Sequence, residues 1–223
     1  MKGRIVVFEG VDASGKATQA KLFFERIKKA GKKAELSSFP RYNEFFGSLV
    51  GRYLAGEFGS KEELPPEFCS LLYSLDRYHA KKEIQEKLKK GTILVFDRYF
   101  TANYGFQPAK FKGKKQREEF FQWMKALESR MPQPDLVFFL DVLPQISRKL
   151  MKGKDREKAY RKGRKKDIYE SDIAYQNKVR AMFLHLCRKE KNWSRINCVR
   201  GNKLKSREEI HSEVWKKAQK ILK

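Results

Sequence analysis

Between Gly10 and Lys16 the chain reads GVDASGK, which fits the pattern G-x-x-x-x-G-K and falls between an apolar run and an apolar helical pattern. Glycines at its two ends let the backbone bend so that successive N–H groups point inward at phosphate oxygens, and the start of the next helix adds its dipole. Gly10, Val11, Asp12, Ala13, Ser14, Gly15, Lys16, Ala17 and Thr18 thus form a candidate triphosphate-binding loop. Its lysine, Lys16, reaches toward the β and γ phosphates. The competing reading is an ordinary glycine-rich turn. The pattern ordinarily closes on a Ser or Thr whose hydroxyl meets magnesium, but Ala17 stands there and Thr18 follows at once, which leaves metal coordination open. A second group lies in ILVFDRYF, Ile93 to Phe100, where Asp97 and Arg98 end a buried strand. Open α/β sheets bind ligands at that end. A charged pair that merely terminates a strand is the alternative.

The elements around these groups follow from periodicity. Arg4 to Phe8 is a short β-branched run suited to a buried strand, and from Thr18 the apolar residues Leu22, Phe23, Ile27 and Ala30 keep helical spacing until Gly31. A second strand is expected over 34–39, helices over 45–55 and 65–90, and a strand over 92–96. Further on come a helix over 115–130, a strand over 136–140, a helix opened by Pro144, a helix over 170–189 and a strand over 195–199. Ser206 with Glu209 three residues later makes a capping box for a terminal helix. Strands alternating with helices predict a parallel sheet covered on both faces. One domain over 1–223 is expected, since no repeat and no Gly/Ser- or Pro-rich linker interrupts the chain.

Composition bounds the partners. With 40% hydrophobic, 13% aromatic and 35% charged residues the chain is globular and not disordered or collagen-like. No window approaches the roughly 18 apolar residues of a membrane span, and the first apolar stretch is too short for a secretory signal, so an intracellular, cytoplasmic protein is expected. Three cysteines without a CxxC pair and three histidines without HExxH spacing indicate neither a disulfide framework nor a histidine-held metal. The 51 basic and 27 acidic residues leave a net charge of +24. Such a field attracts phosphorylated small molecules as readily as nucleic acid. From Arg148 to Lys166 eleven Lys/Arg accompany two acids around Gly153 and Gly163, a segment expected to be an exposed basic loop.

Several stretches together resemble the thymidylate kinases, within the P-loop nucleoside monophosphate kinases. They are FEGVDASGKATQ (8–19), SFPR (38–41), LLYSLDR (71–77), GTILVFDRYF (91–100), GFQ (105–107), PQPDLVFFLDV (132–142) and the basic segment running into DIYE (167–170). The resemblance implies a three-layer P-loop sandwich with a five-stranded parallel sheet and a lid at about 148–168. It also implies transfer of the ATP γ-phosphoryl group to the 5′-phosphate of dTMP with magnesium, in a homodimer that needs no membrane or nucleic acid. Carried over by position, Lys16 and the loop amides hold ATP phosphates, and Arg98 stands between donor and acceptor phosphates. Arg41 resembles the arginine that clamps the dTMP phosphate. Tyr73 matches the aromatic stacked on thymine, Arg77 falls one turn later to reach the base edge, and Phe106 and Gln107 lie near the pyrimidine; Ala102 replaces a family serine. Asp12 matches the acid near the sugar 3′-hydroxyl and, with Asp97, the metal environment. Glu170, with Asp167, closes over the sugar. Because Ala13 stands where some relatives carry an arginine, the lid is expected to supply the extra guanidinium through Arg164, with Arg156 and Arg161 as further lid cations on ATP. Two alternatives stay open: another pyrimidine nucleoside monophosphate kinase, and a degenerate P-loop protein that uses its charge to bind nucleic acid.

Overall fold

A computed structural model describes residues 3–60, 63–152, 172–201 and 203–222. Five strands form one parallel sheet in the order β2-β3-β1-β4-β5. They are β1 (Arg4–Glu9), β2 (Ala34–Ser38), β3 (Ile93–Asp97), β4 (Leu136–Asp141) and β5 (Trp193–Asn197). Around them run α1 (Lys16–Lys29), α2 (Phe45–Leu54), α3 (Pro66–Lys89), α4 (Thr101–Phe106), α5 (Lys114–Glu128), α6 (Pro144–Lys152), α7 (Ile173–Lys189) and α8 (Arg207–Leu222). A small hairpin of β6 (Val199–Arg200) and β7 (Lys203–Leu204) precedes α8.

Successive strand side chains point to opposite faces, and both faces here are apolar and covered. Ile5, Val7, Leu94, Phe96, Val137 and Phe139 join the core beneath α3, α4, α5 and α7. Their neighbours Val6, Phe8, Ile93, Val95, Phe138 and Leu140 join the core beneath α1 and α8. This is the three-layer arrangement expected from the alternating pattern. A third cluster, with Val50, Tyr53, Cys69 and Leu72, seats α2 on the N-terminal half of α3. Among the described residues no helix is long and apolar enough to cross a membrane. All three cysteines carry free thiols.

The structure moves several boundaries. Helix α1 begins at Lys16, two residues before Thr18, from which the helical pattern is read, because Gly15 takes the N-cap at φ +90° and the loop lysine already belongs to the first turn. Strand β5 spans 193–197 instead of 195–199, since Trp193 lies opposite Val137 and is buried beside α7. Helix α7 starts at Ile173, where the Asp172 carboxylate accepts the Tyr175 N–H at 2.9 Å. Helix α4 was not expected at all: six residues with a glycine among them carry too little periodicity to register. The capping box is present as read, with Ser206 N–H donating to Glu209 Oε2 at 2.8 Å and Glu209 N–H to Ser206 Oγ at 3.1 Å.

Candidate active site

The apolar core ends at Glu9, and the chain turns sharply into the loop. Gly10 adopts φ +154°, and a Cβ there would meet Leu140 O at 2.9 Å, so the loop approaches β4 more closely than any side chain allows. Ala13 at φ +56° and Gly15 at φ +90° complete the bend. The loop thereby delivers its N–H groups and the start of α1 to the carboxyl end of β1, the geometry that binds phosphate. Lys16 is only 7% exposed and donates Nζ to Val11 O of its own loop at 2.8 Å. Burial, followed by repulsion from Arg98, pulls its ammonium down to about 8 against the attraction of Asp97, Asp12 and Glu9.

Strand β3 brings the second group alongside, because β1 and β3 pair in register with Phe8 opposite Asp97. Arg98 sits at φ +66°, a left-handed conformation that a side-chain-bearing residue adopts only under constraint. Its guanidinium turns back over the loop, donating to Asp12 Oδ1 at 2.7 Å and Gly10 O at 3.2 Å, and lies 4.8 Å from the Phe106 ring centroid. Burial would lower its pKa, but Asp12, Glu9, Asp97 and Tyr42 outweigh burial and hold it above the ordinary arginine value. Asp97 Oδ1 is buried and has no hydrogen-bond partner among the described residues. Helix α7 reaches the same place: Gln176 Nε2 donates to Asp12 Oδ2 at 3.4 Å and Tyr175 Oη to Phe106 O at 2.7 Å.

Two cations, Lys16 and Arg98, thus meet the carboxylates of Asp12, Asp97 and Glu9 around the loop. This arrangement can draw in a polyphosphate and exchange its carboxylate contacts for phosphate oxygens. The surroundings of Glu9 and Gln176 escaped sequence reading. Glu9 carries the same signal as Asp97, an acid at the carboxyl end of a buried strand, whereas nothing local marks Gln176.

The other expected residues are distributed differently. Tyr73 is half-buried on α3, edge-on to Tyr53 at 6.2 Å between centroids. Gln107 is 3% exposed and its Oε1 has no partner among the described residues. Arg77, which the resemblance places one turn after Tyr73 at the base edge, is buried, ion-paired to Glu128 of α5 and bonded to Ser74 Oγ at 3.2 Å. Arg41, read as an anion clamp, turns onto α3. Its backbone N–H and Nε donate to the Asp76 carboxylate at 2.9 and 3.3 Å, and Nη2 meets Asp76 O and His79 Nδ1, each at 3.2 Å. The Asp76 carboxylate is 1% exposed, and a buried carboxylate takes the nearest guanidinium. The lid residues Arg156, Arg161 and Arg164, with Asp167 and Glu170, lie outside the described residues.

A parallel sheet of this order with a phosphate loop after β1 and an acid–arginine pair after β3 defines the P-loop kinase class. The family model described as thymidylate kinase matches residues 8–214. The fission yeast Schizosaccharomyces pombe thymidylate kinase is 30% identical over 213 residues, covering 96% of this chain and 90% of its own length. The human thymidylate kinase is 30% identical over 215 residues, covering 96% and 88%. A solved structure of thymidylate kinase from Candida albicans superposes with a TM-score of 0.76 at 25% identity, covering 98% of this chain and 92% of that one. The chain belongs to the thymidylate kinase family, a family of enzymes, which favours a kinase over the nucleic-acid-binding alternative.

Proposed function

We propose that the protein transfers the γ-phosphoryl group of ATP to the 5′-phosphate of dTMP, giving dTDP and ADP. The observation that carries the reading is the convergence of buried Lys16 with Arg98 on one glycine-bent loop, in a chain of this family. Donor and acceptor are both polyanions, so the work of catalysis is to hold them in line and neutralise the charge between them. In this reading the loop amides from Gly10 to Thr18 and Lys16 hold the ATP phosphates. Arg98 leaves Asp12 to bridge donor and acceptor phosphates, its reach set by the Phe106 ring beneath it. Tyr73, Phe106 and Gln107 face the nucleoside, with Arg77 behind them. Arg156, Arg161 and Arg164 supply lid cations, and Glu170 closes on the sugar.

The donors suit magnesium. The orphaned Asp97 Oδ1 and the Asp12 carboxylate would hold it, aided by Thr18 because Ala17 has no hydroxyl. Among the described residues no group of three or more His, Cys, Asp or Glu gathers to hold a metal alone. Phosphate and water would therefore complete its shell, as magnesium prefers. When bound, the ion neutralises charge on the β and γ phosphates.

The chain acts in this reading as one kinase domain and as a cytoplasmic homodimer. Phe68, Leu71 and Leu75 on one side of α3, 38%, 44% and 44% exposed, offer an apolar row for the second copy. Assaying ATP consumption with dTMP, dUMP, UMP, CMP, AMP and GMP tests the activity. The expected result is the highest kcat/KM for dTMP; preference for a ribonucleotide or a purine overturns it.

A further inference from the structure

Glu9 is outside the G-x-x-x-x-G-K pattern, yet it is fully buried at the point where β1 enters the loop. Its Oε1 accepts the Tyr99 N–H at 3.1 Å and the Thr101 Oγ1–H at 2.7 Å. Those two residues lie just beyond Arg98, whose own N–H donates to Phe8 O at 3.1 Å. A left-handed φ at such a residue is strained and persists only where its surroundings over-determine it. Glu9 is one of those surroundings. Its second oxygen, Oε2, is buried 3.9 Å from Arg98 Nη1 and has no hydrogen-bond partner among the described residues. At that separation the carboxylate attracts the guanidinium without taking its N–H donors, which go to Asp12 Oδ1 and Gly10 O. A buried carboxylate is costly to keep ionised. Desolvation accordingly pushes Glu9 up to about 7, against the pull of Arg98, Thr101, Tyr99 and Lys16.

We propose that Glu9 is a positioning residue for phosphoryl transfer, its carboxylate fixing the turn after β3 and thereby the orientation of the Arg98 guanidinium. The proposal rests on the reading of Arg98 as the cation between the two phosphates. Misplacing such a group by about 1 Å costs on the order of 10²-fold in rate. Glu9 acts only through Arg98, so its effect must vanish when Arg98 is absent.

The test is a double-mutant cycle on the full chain with ATP, magnesium and dTMP, measuring kcat and both KM values for Glu9→Ala, Arg98→Ala and the double variant. The expected result is a fall in kcat of about 100-fold for Glu9→Ala with both KM values within about threefold, and no further loss when Glu9→Ala is added to Arg98→Ala. The same loss in both backgrounds overturns the proposal, because Glu9 then acts independently of Arg98. Wild-type kcat in Arg98→Ala overturns instead the reading of Arg98, and the proposal with it. Should Glu9→Ala fail to fold, Glu9→Gln decides: it keeps an oxygen for Tyr99 and Thr101 and loses only the charge. A fall of about tenfold in its kcat at unchanged KM supports the proposal, and a wild-type kcat overturns it.

Discussion

Arg77 on α3 and Glu128 on α5 form an ion pair whose side chains are 2% and 1% exposed, with Ser74 Oγ donating to the same Glu128 oxygen at 2.6 Å. Arg77 Nε, Glu128 Oε2 and the Tyr99 hydroxyl lie buried without hydrogen-bond partners among the described residues. Both charges raise or lower the Tyr99 phenol, whose pKa burial drives well above its usual value. The arginine expected at a base edge is thus held from behind by a carboxylate that sits 51 positions along the chain.

Removing one member of such a pair strands the other charge. Glu128→Ala should lower the unfolding free energy by about 3–5 kcal/mol, and Arg77→Met with Glu128→Leu should recover most of it. Urea unfolding measures both. A loss below about 1 kcal/mol for Glu128→Ala would show that water reaches the pair. If Arg77 also reads the base, the double variant will be stable yet show a raised KM for dTMP and an unchanged KM for ATP.

Lys16→Ala and Arg98→Ala should each lower kcat by about 10²–10³-fold while circular dichroism and thermal midpoint stay near those of the parent protein. In the proposed reaction both cations would be matched to charge that develops in the transition state, so kcat should fall more than substrate affinity does. Full turnover in either variant removes its assigned role.

Lys16 titrates at about 8 in the free protein because burial and Arg98 disfavour its charged form. Triphosphate beside it favours that form and raises the value. The sign follows: above pH 8 the free site holds a neutral amine, and binding ATP draws in a proton. Below about pH 7 Lys16 is already charged and contributes no uptake. Calorimetry at pH 9 in buffers of differing ionisation enthalpy should report an uptake of up to about one proton, absent in Lys16→Met. A buffer-independent heat at pH 9 contradicts the assignment.

Ala17 leaves one expected magnesium ligand unfilled. Ala17→Ser should therefore lower the magnesium concentration giving half-maximal rate, and Thr18→Ala should raise it if Thr18 has taken over. Activity should survive in the parent protein because magnesium keeps several waters in most nucleotide sites. Identical titration midpoints for all three proteins would mean that neither position touches the metal.

The phosphate loop, the strand that leads into it, the covering helices other than α4 and the capping box at Ser206 were legible in the sequence. Each depends on backbone conformation or on periodicity within a few residues, which local residue types determine. The loop lysine and the Asp97–Arg98 pair could be named for the same reason, since a strand end fixes where the next side chain starts. Where a side chain ends was another matter. Helical spacing put Arg77 and Tyr73 on one face, but only the packing of α5 on α3 turned Arg77 inward toward Glu128. The same holds for Arg41, which Asp76 captures 35 residues on, and for Arg98, which folds back onto Asp12 across 86 positions. Gln176 reaches Asp12 across 164. A buried charge settles on whichever opposite charge the folded chain brings within reach, and that neighbour is chosen by the tertiary arrangement of distant segments, which no local pattern encodes.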